Sequence, residues 1–237
     1  MEKKINYNRF KKSDNPHKAI VAIHGWGGNK NSFSPFVKNI KIDDVEWFLP
    51  EAPYLVKDAP PINSDNIDND GLSRKSWTYK KENGTWEVKE PITMLKTFLN
   101  DIVFKQYNPS DVYFIGFSQG AAVCYECVMG IKKELGGIFP IGGFLFKDSE
   151  KDKMVSAFNM ETPILIGHGI KDDVIPIEKS KIAYNKLLKE GANVKFYDYN
   201  GGHKISIKYI KEVVKIINES EWFKTTYWYH NELAEES

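Results

Sequence analysis

The sequence predicts an α/β protein with a mostly parallel central sheet covered by helices on both faces. Short apolar segments alternate along the chain with longer segments of helical periodicity, which is the pattern of strand–helix–strand units. Hydrophobic residues make up 41% of the composition, enough to form a core. The 237 residues contain no internal repeat and no low-complexity linker, so we expect one domain over residues 1–237.

The apolar and amphipathic segments give the expected order of the elements. Strands are predicted at residues 3–9, 18–23, 45–49, 111–116, 137–142, 163–168 and 194–198. Helices are predicted at residues 32–40, 91–106, 118–134, 177–190 and 204–219. Loops that leave the carboxyl ends of the strands should therefore meet at one edge of the sheet, where ligand sites form in such folds.

The segment Gly116-Phe-Ser-Gln-Gly joins a predicted strand to a predicted helix. The G-x-S-x-G pattern in this context indicates a nucleophile elbow, with Ser118 exposed above the sheet in strained backbone. Such a turn is tight, so the residues two before and two after the serine must lack bulk, as Gly116 and Gly120 do. The alternative interpretation is an ordinary glycine-rich turn.

A serine nucleophile needs a base and an acid that orients the base, and in this arrangement they follow the serine in the order acid, histidine. Three of the five histidines follow Ser118, and His203 lies in a glycine-rich loop just after a predicted strand. A surface histidine is the alternative there. Asp172 and Asp173 both compete for the acid: the apolar segment behind them favours Asp172, whereas Asp173 fits a solvated loop carboxylate or a cap.

The strand predicted at 18–23 runs into a glycine-rich loop, His24-Gly-Trp-Gly-Gly. Such a loop can direct backbone N–H groups at a developing oxyanion, and the residue after the nucleophile supplies a second donor. The expected donors are the main-chain amides of Trp26 and Gln119. His24 is expected to shape the loop without a catalytic part, because it precedes the serine in the chain.

Four segments resemble the phospholipase/carboxylesterase family of α/β-hydrolases, which includes the acyl-protein thioesterases: His24-Gly-Trp-Gly-Gly, Gly116-Phe-Ser-Gln-Gly-Ala, His168-Gly-Ile-Lys-Asp-Asp-Val-Ile-Pro and Gly201-Gly-His. They occur in the family's order and at comparable separations. The resemblance implies an α/β-hydrolase fold. It also implies a triad of Ser118, Asp172 and His203, since the family's acid lies four residues after the histidine of the second His-Gly.

The same resemblance implies a carboxylesterase or thioesterase that acts on small-molecule esters or thioesters through an acyl-enzyme, with no metal and no organic cofactor. A lysophospholipase, a peptidase or an acyltransferase would use the same residues. Outside enzymes, the alternative is a ligand-binding module with a vestigial triad. The presence of every triad and oxyanion element favours an enzyme, because a decayed site would usually have lost one. A monomer or a homodimer is expected.

An insertion at residues 53–90 is longer and more polar than in typical members of that family. Its first part, to residue 76, is rich in Pro, Asn and Asp and predicts an irregular loop. Asn83-Gly between two aromatic segments then predicts a hairpin. The functional interpretation is a lid in which Trp77, Tyr79 and Trp86 line or cover an acyl pocket. The alternative is a surface hairpin whose aromatic side chains pack against the body.

Composition and charge narrow the remaining possibilities. The net charge of +1 gives no reason to expect binding to nucleic acid or to an anionic membrane. No apolar run approaches the roughly 20 residues of a membrane span and no secretory signal is visible, so a cytoplasmic protein is expected. Cys124 and Cys127 are interpreted as buried small residues. The C-terminal extension at 221–237 is aromatic and then acidic; packing on the body is expected, with a dimer contact or an apolar ligand as alternatives.

Overall fold

The computed structural model describes residues 4–42, 44–56, 74–83, 85–146 and 153–219. Within them, a seven-stranded sheet carries helices on both faces. The expected packing of the extension at 221–237, and most of the irregular loop expected before residue 76, lie outside the described residues.

The described strands are, in chain order, β1 (Tyr7–Lys11), β2 (Lys18–Ile23), β3 (Val45–Pro50), β4 (Tyr54–Leu55), β5 (Lys75–Ser76), β6 (Tyr79–Lys80), β7 (Trp86–Glu87), β8 (Val112–Phe117), β9 (Gly137–Ile141), β10 (Ile164–Gly169) and β11 (Val194–Tyr199). The central sheet has the order β1-β3-β2-β8-β9-β10-β11. Its strands are parallel except for β1, which pairs antiparallel with β3. Strand β2 is buried from Ala19 to Ile23, because helices cover both of its faces.

The described helices are α1 (Ser34–Asn39), α2 (Lys89–Phe98), α3 (Gln119–Val123), α4 (Ile177–Lys189) and α5 (Ile207–Glu219). Helices α2 and α3 each continue into a π-helical turn, at Leu99–Val103 and Cys124–Val128. One face of the sheet packs against α2, α3 and α4 through Leu95, Leu99, Cys124, Val128, Ala183 and Leu187. The other face packs against α1 and α5 through Val37, Tyr209, Ile210, Val213 and Ile217.

Helix α2 begins at Lys89, two residues before the predicted start. The carboxylate of Glu87 causes the early start, because its Oε1 accepts the main-chain amides of Lys89 at 2.8 Å and Glu90 at 2.9 Å. These amides have no partner inside the helix, so the carboxylate caps its first turn.

The predicted first strand is also shifted, since β1 begins at Tyr7 and ends at Lys11.

The prediction that the helix after Ser118 extends to residue 134 is wrong, since its last turn ends at Val128. A buried side chain from a distant segment binds the backbone groups that a longer helix would need for its own hydrogen bonds. Asn159 donates its Nδ2 to the carbonyl of Ile131 at 2.8 Å and accepts the amide of Leu135 at 3.0 Å. These bonds hold the chain in an irregular turn that leads into β9.

Candidate active site

Ser118 lies at the turn between β8 and α3, with φ 54° and ψ −115°. A side chain at positive φ is strained, and the surrounding contacts must stabilise it. The amide of Ser118 donates to the carbonyl of Ile141 at the end of β9, at 2.8 Å. The glycines fit the predicted elbow, since a Cβ on Gly116 would lie 2.7 Å from the backbone carbon of Gly120. The predicted strand–turn–helix context of Ser118 is therefore confirmed.

His203 reaches Ser118 from the loop that follows β11. Its Nε2 lies 3.0 Å from the Oγ of Ser118, and its Nδ1 lies 2.7 Å from Oδ2 of Asp172. The imidazole packs against the ring of Phe117 with centroids 4.9 Å apart. Gly142 has φ 59° beside this ring, and a Cβ there would lie 3.5 Å from Cε1 of His203. The structure thus brings together the three predicted side chains in one hydrogen-bonded line.

The carboxylate of Asp172 is held on both of its oxygens. Oδ1 accepts the amides of Val174 at 3.0 Å and Ile175 at 2.8 Å, while Oδ2 faces His203. Burial is the largest influence on this group and acts to raise its pKa. The hydrogen bond from His203, the amides of Ile175 and Val174 and the charge of His203 act in the opposite direction and together outweigh burial, so the pKa of Asp172 is below its usual range. The group is therefore a carboxylate at neutral pH and can only accept hydrogen bonds.

Asp173 differs from its neighbour in every respect that matters for this site. Its side chain is exposed, and no hydrogen bond or ion pair joins it to any described residue. The geometry therefore favours Asp172 as the partner of His203.

A second histidine, His168, contacts the carboxylate of Asp172. It is fully buried at the end of β10, and its Nε2 lies 3.3 Å from Oδ2 of Asp172 and 2.8 Å from the carbonyl oxygen of Ile175. Burial lowers the pKa of His168, which favours the neutral ring. The other ring nitrogen, Nδ1, lies 2.7 Å from the hydroxyl oxygen of Ser180, and that hydroxyl donates to the carbonyl of Gly143 at 2.9 Å.

The glycine-rich loop after β2 lies against the elbow. A Cβ on Gly25 would lie 3.2 Å from the Cβ of Ser118, so the two segments are in contact. Within the described part of the chain, the main-chain amides of Trp26 and Gln119 donate to no protein acceptor. Two N–H groups without protein partners beside a serine hydroxyl are what an oxyanion hole requires.

His24 holds the start of this loop from inside the core. Its Nδ1 donates to the carbonyl of Gly25 at 2.7 Å, and its Nε2 accepts the amide of Ala52 at 3.0 Å. Burial lowers the pKa of His24 to about 4, so the ring is neutral near pH 7. These contacts agree with the loop-shaping part expected for this residue.

The three aromatic residues predicted for a lid occupy different environments. Trp77 is 1% exposed and lies in the core, which differs from the surface position of a lid. Tyr79 and Trp86 are 43% and 45% exposed and belong to the predicted hairpin, in which β6 pairs antiparallel with β7. The hairpin prediction is confirmed, and Trp77 is a buried anchor at its base.

Three contributors to the site were missed by sequence reasoning. The family motif includes His168 without giving it a part in the site, and no part is predicted for Ser76 or Gly142. His168 and Asp172 are four residues apart across a strand end, a spacing that could have suggested their contact. Ser76 and Gly142 carry no such local signal, since their partners come from distant segments.

Metal-ligand residues do not gather at any place in the described ranges. No group of three or more His, Cys, Asp or Glu side chains there is arranged to hold a metal ion. Cys124 and Cys127 are both buried and reduced, and burial raises the pKa of the Cys124 thiol. Among the described helices, none has the length and apolar composition needed to cross a membrane.

The sequence profile of the phospholipase/carboxylesterase family matches residues 8–221. The chain belongs to this family. It is 28% identical over 218 residues to acyl-protein thioesterase 1 of Debaryomyces hansenii, covering 85% of this chain and 90% of that protein. It is 28% identical over 214 residues to carboxylesterase SOBER1 of Arabidopsis thaliana, covering 83% of this chain and 89% of that protein.

Solved structures agree with this membership. Arabidopsis thaliana SOBER1 superposes with a TM-score of 0.68 at 25% identity, over 84% of this chain and 97% of that one. Esterase PE8 superposes with a TM-score of 0.73 at 19% identity, over 91% of this chain and 99% of that one, a likeness of fold alone. This chain has an α/β-hydrolase fold and is a hydrolase of the carboxylesterase/thioesterase type.

Proposed function

We propose that this chain hydrolyses carboxylic esters and thioesters through an acyl-enzyme formed on Ser118. The observation that carries the proposal is the continuous line of contacts from Ser118 through His203 to Asp172, at 3.0 and 2.7 Å. A serine hydroxyl becomes a competent nucleophile only when a base within hydrogen-bond reach takes its proton. That base is His203, which is oriented by a carboxylate that stays ionised at neutral pH.

In the first half of the reaction, the Oγ of Ser118 attacks the carbonyl carbon of the substrate while its proton passes to Nε2 of His203. The resulting imidazolium donates from Nδ1 to Asp172, which stabilises the positive charge. When the tetrahedral intermediate collapses, the carbon–oxygen or carbon–sulfur bond breaks. His203 then returns the proton to the departing alcohol or thiol.

Negative charge develops on the carbonyl oxygen during this attack. The main-chain amides of Trp26 and Gln119 donate to that oxygen, and each such donor contributes on the order of 3 kcal/mol to transition-state stability. Their value comes from being fixed before the reaction, so that no dipole has to reorient as charge forms.

In the second half, water replaces the leaving group. His203 accepts a proton from water as its oxygen attacks the acyl carbon, and the bond to Ser118 breaks as the proton is delivered back to Oγ. The products are a carboxylic acid and the regenerated serine. The route requires no metal and no organic cofactor.

Relatives support both kinds of leaving group, since the similar proteins include one named a thioesterase and one named a carboxylesterase. The discriminating experiment is a panel of nitrophenyl esters of increasing acyl length, an acyl thioester and a lysophospholipid. We expect turnover of short esters and of the thioester. Hydrolysis of the lysophospholipid alone would replace the proposal with a lysophospholipase.

The role of Ser118 is tested by covalent labelling with a fluorophosphonate, followed by intact mass measurement. Ser118→Ala should abolish both labelling and turnover. The matched control is Ser110→Ala, an exposed serine just before β8, which should retain both. Labelling that persists in Ser118→Ala would remove Ser118 as the nucleophile.

A further inference from the structure

Trp77 is joined by hydrogen bonds to both segments that supply the candidate oxyanion donors. Its main-chain N–H donates to Oε1 of Gln119 at 2.8 Å, on the elbow side. Its indole Nε1–H donates to the carbonyl of His24 at 3.0 Å, on the side of the glycine-rich loop. A single buried residue therefore bridges two segments that are far apart in the chain.

The elbow end of this bridge is itself held by a second residue. The side chain of Gln119 donates from Nε2 to the hydroxyl of Ser76 at 3.0 Å. That hydroxyl donates in turn to the carbonyl of Thr78 at 2.5 Å. Both ends of the Gln119 amide group are thus occupied in a buried environment, where satisfied hydrogen bonds are strong and rigid.

The loop end of the bridge is held as firmly. The ring of Trp77 packs against the ring of His24 with centroids 5.5 Å apart, in addition to the bond to the His24 carbonyl. His24 then fixes Gly25 through its Nδ1, immediately before Trp26. The contacts thus run from Gln119 through Trp77 and His24 to Gly25, the residue before Trp26.

From these contacts we propose that Trp77 is a positioning residue that holds the two oxyanion donors, the amides of Trp26 and Gln119, in register with each other. The inference rests on the proposed function. A hydrogen bond weakens steeply as its angle departs from linear, so two donors aimed at one oxygen must keep a fixed separation. Trp77 fixes that separation through its hydrogen bonds to the two segments.

Simple packing is the competing explanation, and it makes a different demand on the side chain. Packing needs only a large apolar ring, which phenylalanine would supply in part. The bridge needs the indole N–H, which phenylalanine lacks. Trp77→Phe therefore removes one bond of the bridge while it keeps an aromatic ring in the core.

The control comes from another fully buried tryptophan. Trp47 on β3 lies in the core on the opposite face of the sheet, and its Nε1 has no acceptor among the described residues. Trp47→Phe thus makes the same change in ring size without loss of a hydrogen bond. A general effect of core substitution should appear in both variants, and an effect on the donors only in Trp77→Phe.

The experiment measures kcat and KM for a nitrophenyl ester and Ki for an alkyl trifluoromethyl ketone. The ketone forms a hemiketal with Ser118, and its oxyanion requires the same two donors as the transition state. For Trp77→Phe we expect kcat to fall about 10- to 100-fold and Ki to rise by a similar factor, with KM changed much less. For Trp47→Phe, kcat and Ki should stay within about 2-fold of the parent, whatever its melting temperature.

Ser76→Ala gives a second, smaller perturbation should Trp77→Phe fold poorly. It releases Nε2 of Gln119 and should shift kcat and Ki in the same direction. The double variant should lose less than the product of the single losses, because both act on the same donor. If the parent is active and Ki is unchanged in folded Trp77→Phe or Ser76→Ala, the inference is overturned. The proposed function then still stands. A parent that turns over none of the substrates overturns both.

Discussion

Gly120, just after Ser118 at the nucleophile turn, packs closely against the backbone of Ile23 at the end of strand β2. A Cβ on Gly120 would overlap the carbonyl oxygen of Ile23 and would lie 2.7 Å from its carbonyl carbon. Both groups are backbone, so neither can move aside as a flexible side chain would. Since Ile23 directly precedes the glycine-rich loop, this contact sets how closely the loop approaches Ser118.

Gly120→Ala should therefore damage stability and activity together. We expect the free energy of unfolding to fall by at least about 2 kcal/mol, measured by denaturant titration, because the added methyl group must displace backbone. The matched control is Gly130→Ala, where a Cβ would have no neighbour closer than 3.7 Å. Equal stability of the two variants would show that the contact between the elbow and β2 is not tight.

Asp172→Asn should lower ester turnover far more than Asp173→Asn. The carboxylate of Asp172 accepts from Nδ1 of His203 at 2.7 Å, whereas Asp173 is exposed. Loss of the charge at Asp172 leaves the imidazole in the wrong tautomer, which costs about 10⁴-fold in serine proteases. Asp173→Asn should stay within about 2-fold of the parent. Measured kcat/KM for a short ester decides the matter, and a larger loss at Asp173 would transfer the role of the acid there.

The sequence carried enough information to predict what depends on local pattern. The elbow at Ser118 could be inferred because both glycines and the change from strand to helix lie within a few residues. The parallel sheet followed from the alternation of apolar and amphipathic segments. His203 could be selected because catalytic residues in such folds follow the ends of strands, and the structure brings its ring to Ser118.

Features that depend on distant partners could not be predicted where no local pattern or family motif marks those partners. Trp77 is predicted to be a lid aromatic because it lies in a long insertion, yet its main-chain and indole N–H groups meet Gln119 and the carbonyl of His24 in the core. The helix after Ser118 ends early because Asn159, from another segment, binds the backbone beyond it. Periodicity describes a segment's own preference and says nothing of such competitors.

The stability of the protein should fall as pH decreases from 6.5 toward 4, in part through His24. Burial lowers the pKa of His24 to about 4 in the folded state, against about 6.5 when unfolded. In this interval the unfolded chain binds a proton that the folded chain does not, so unfolding becomes more favourable. The stability that this histidine contributes is complete above pH 6.5 and is lost as pH falls, by about 3 kcal/mol in full.

The check is denaturant unfolding of the parent and of His24→Gln at several pH values. His24→Gln should be less stable at pH 7, because the hydrogen bonds to Gly25 and Ala52 are weakened. Its stability should nevertheless depend less steeply on pH than that of the parent. Identical slopes would mean that His24 takes up its proton in the folded state as readily as in the unfolded chain.

The hairpin of β6 and β7 should influence which acyl chains are preferred, without a part in the chemical step. It begins two residues after Trp77, whose amide is bound by Gln119, so its base lies beside the oxyanion donors. Tyr79 packs edge-on against Tyr54 at 4.7 Å between ring centroids, and an ion pair between Lys81 and Glu87 joins its two sides. The exposed ring of Trp86 lies on β7, which pairs with β6.

Each methylene of an acyl chain that is buried contributes about 0.8 kcal/mol, so apolar surface beside the site should produce a preference across chain lengths. Trp86→Ala and Tyr79→Ala should flatten or shift that preference while acetyl-ester turnover changes little. Phe158→Ala is the control, because Phe158 is 57% exposed next to Asn159, which binds Leu135 near the start of β9 and away from the strand ends that carry the site. If both hairpin variants keep the parent's acyl-length profile, or lose only melting temperature as the control would, the hairpin is packing and the acyl pocket is built by other residues.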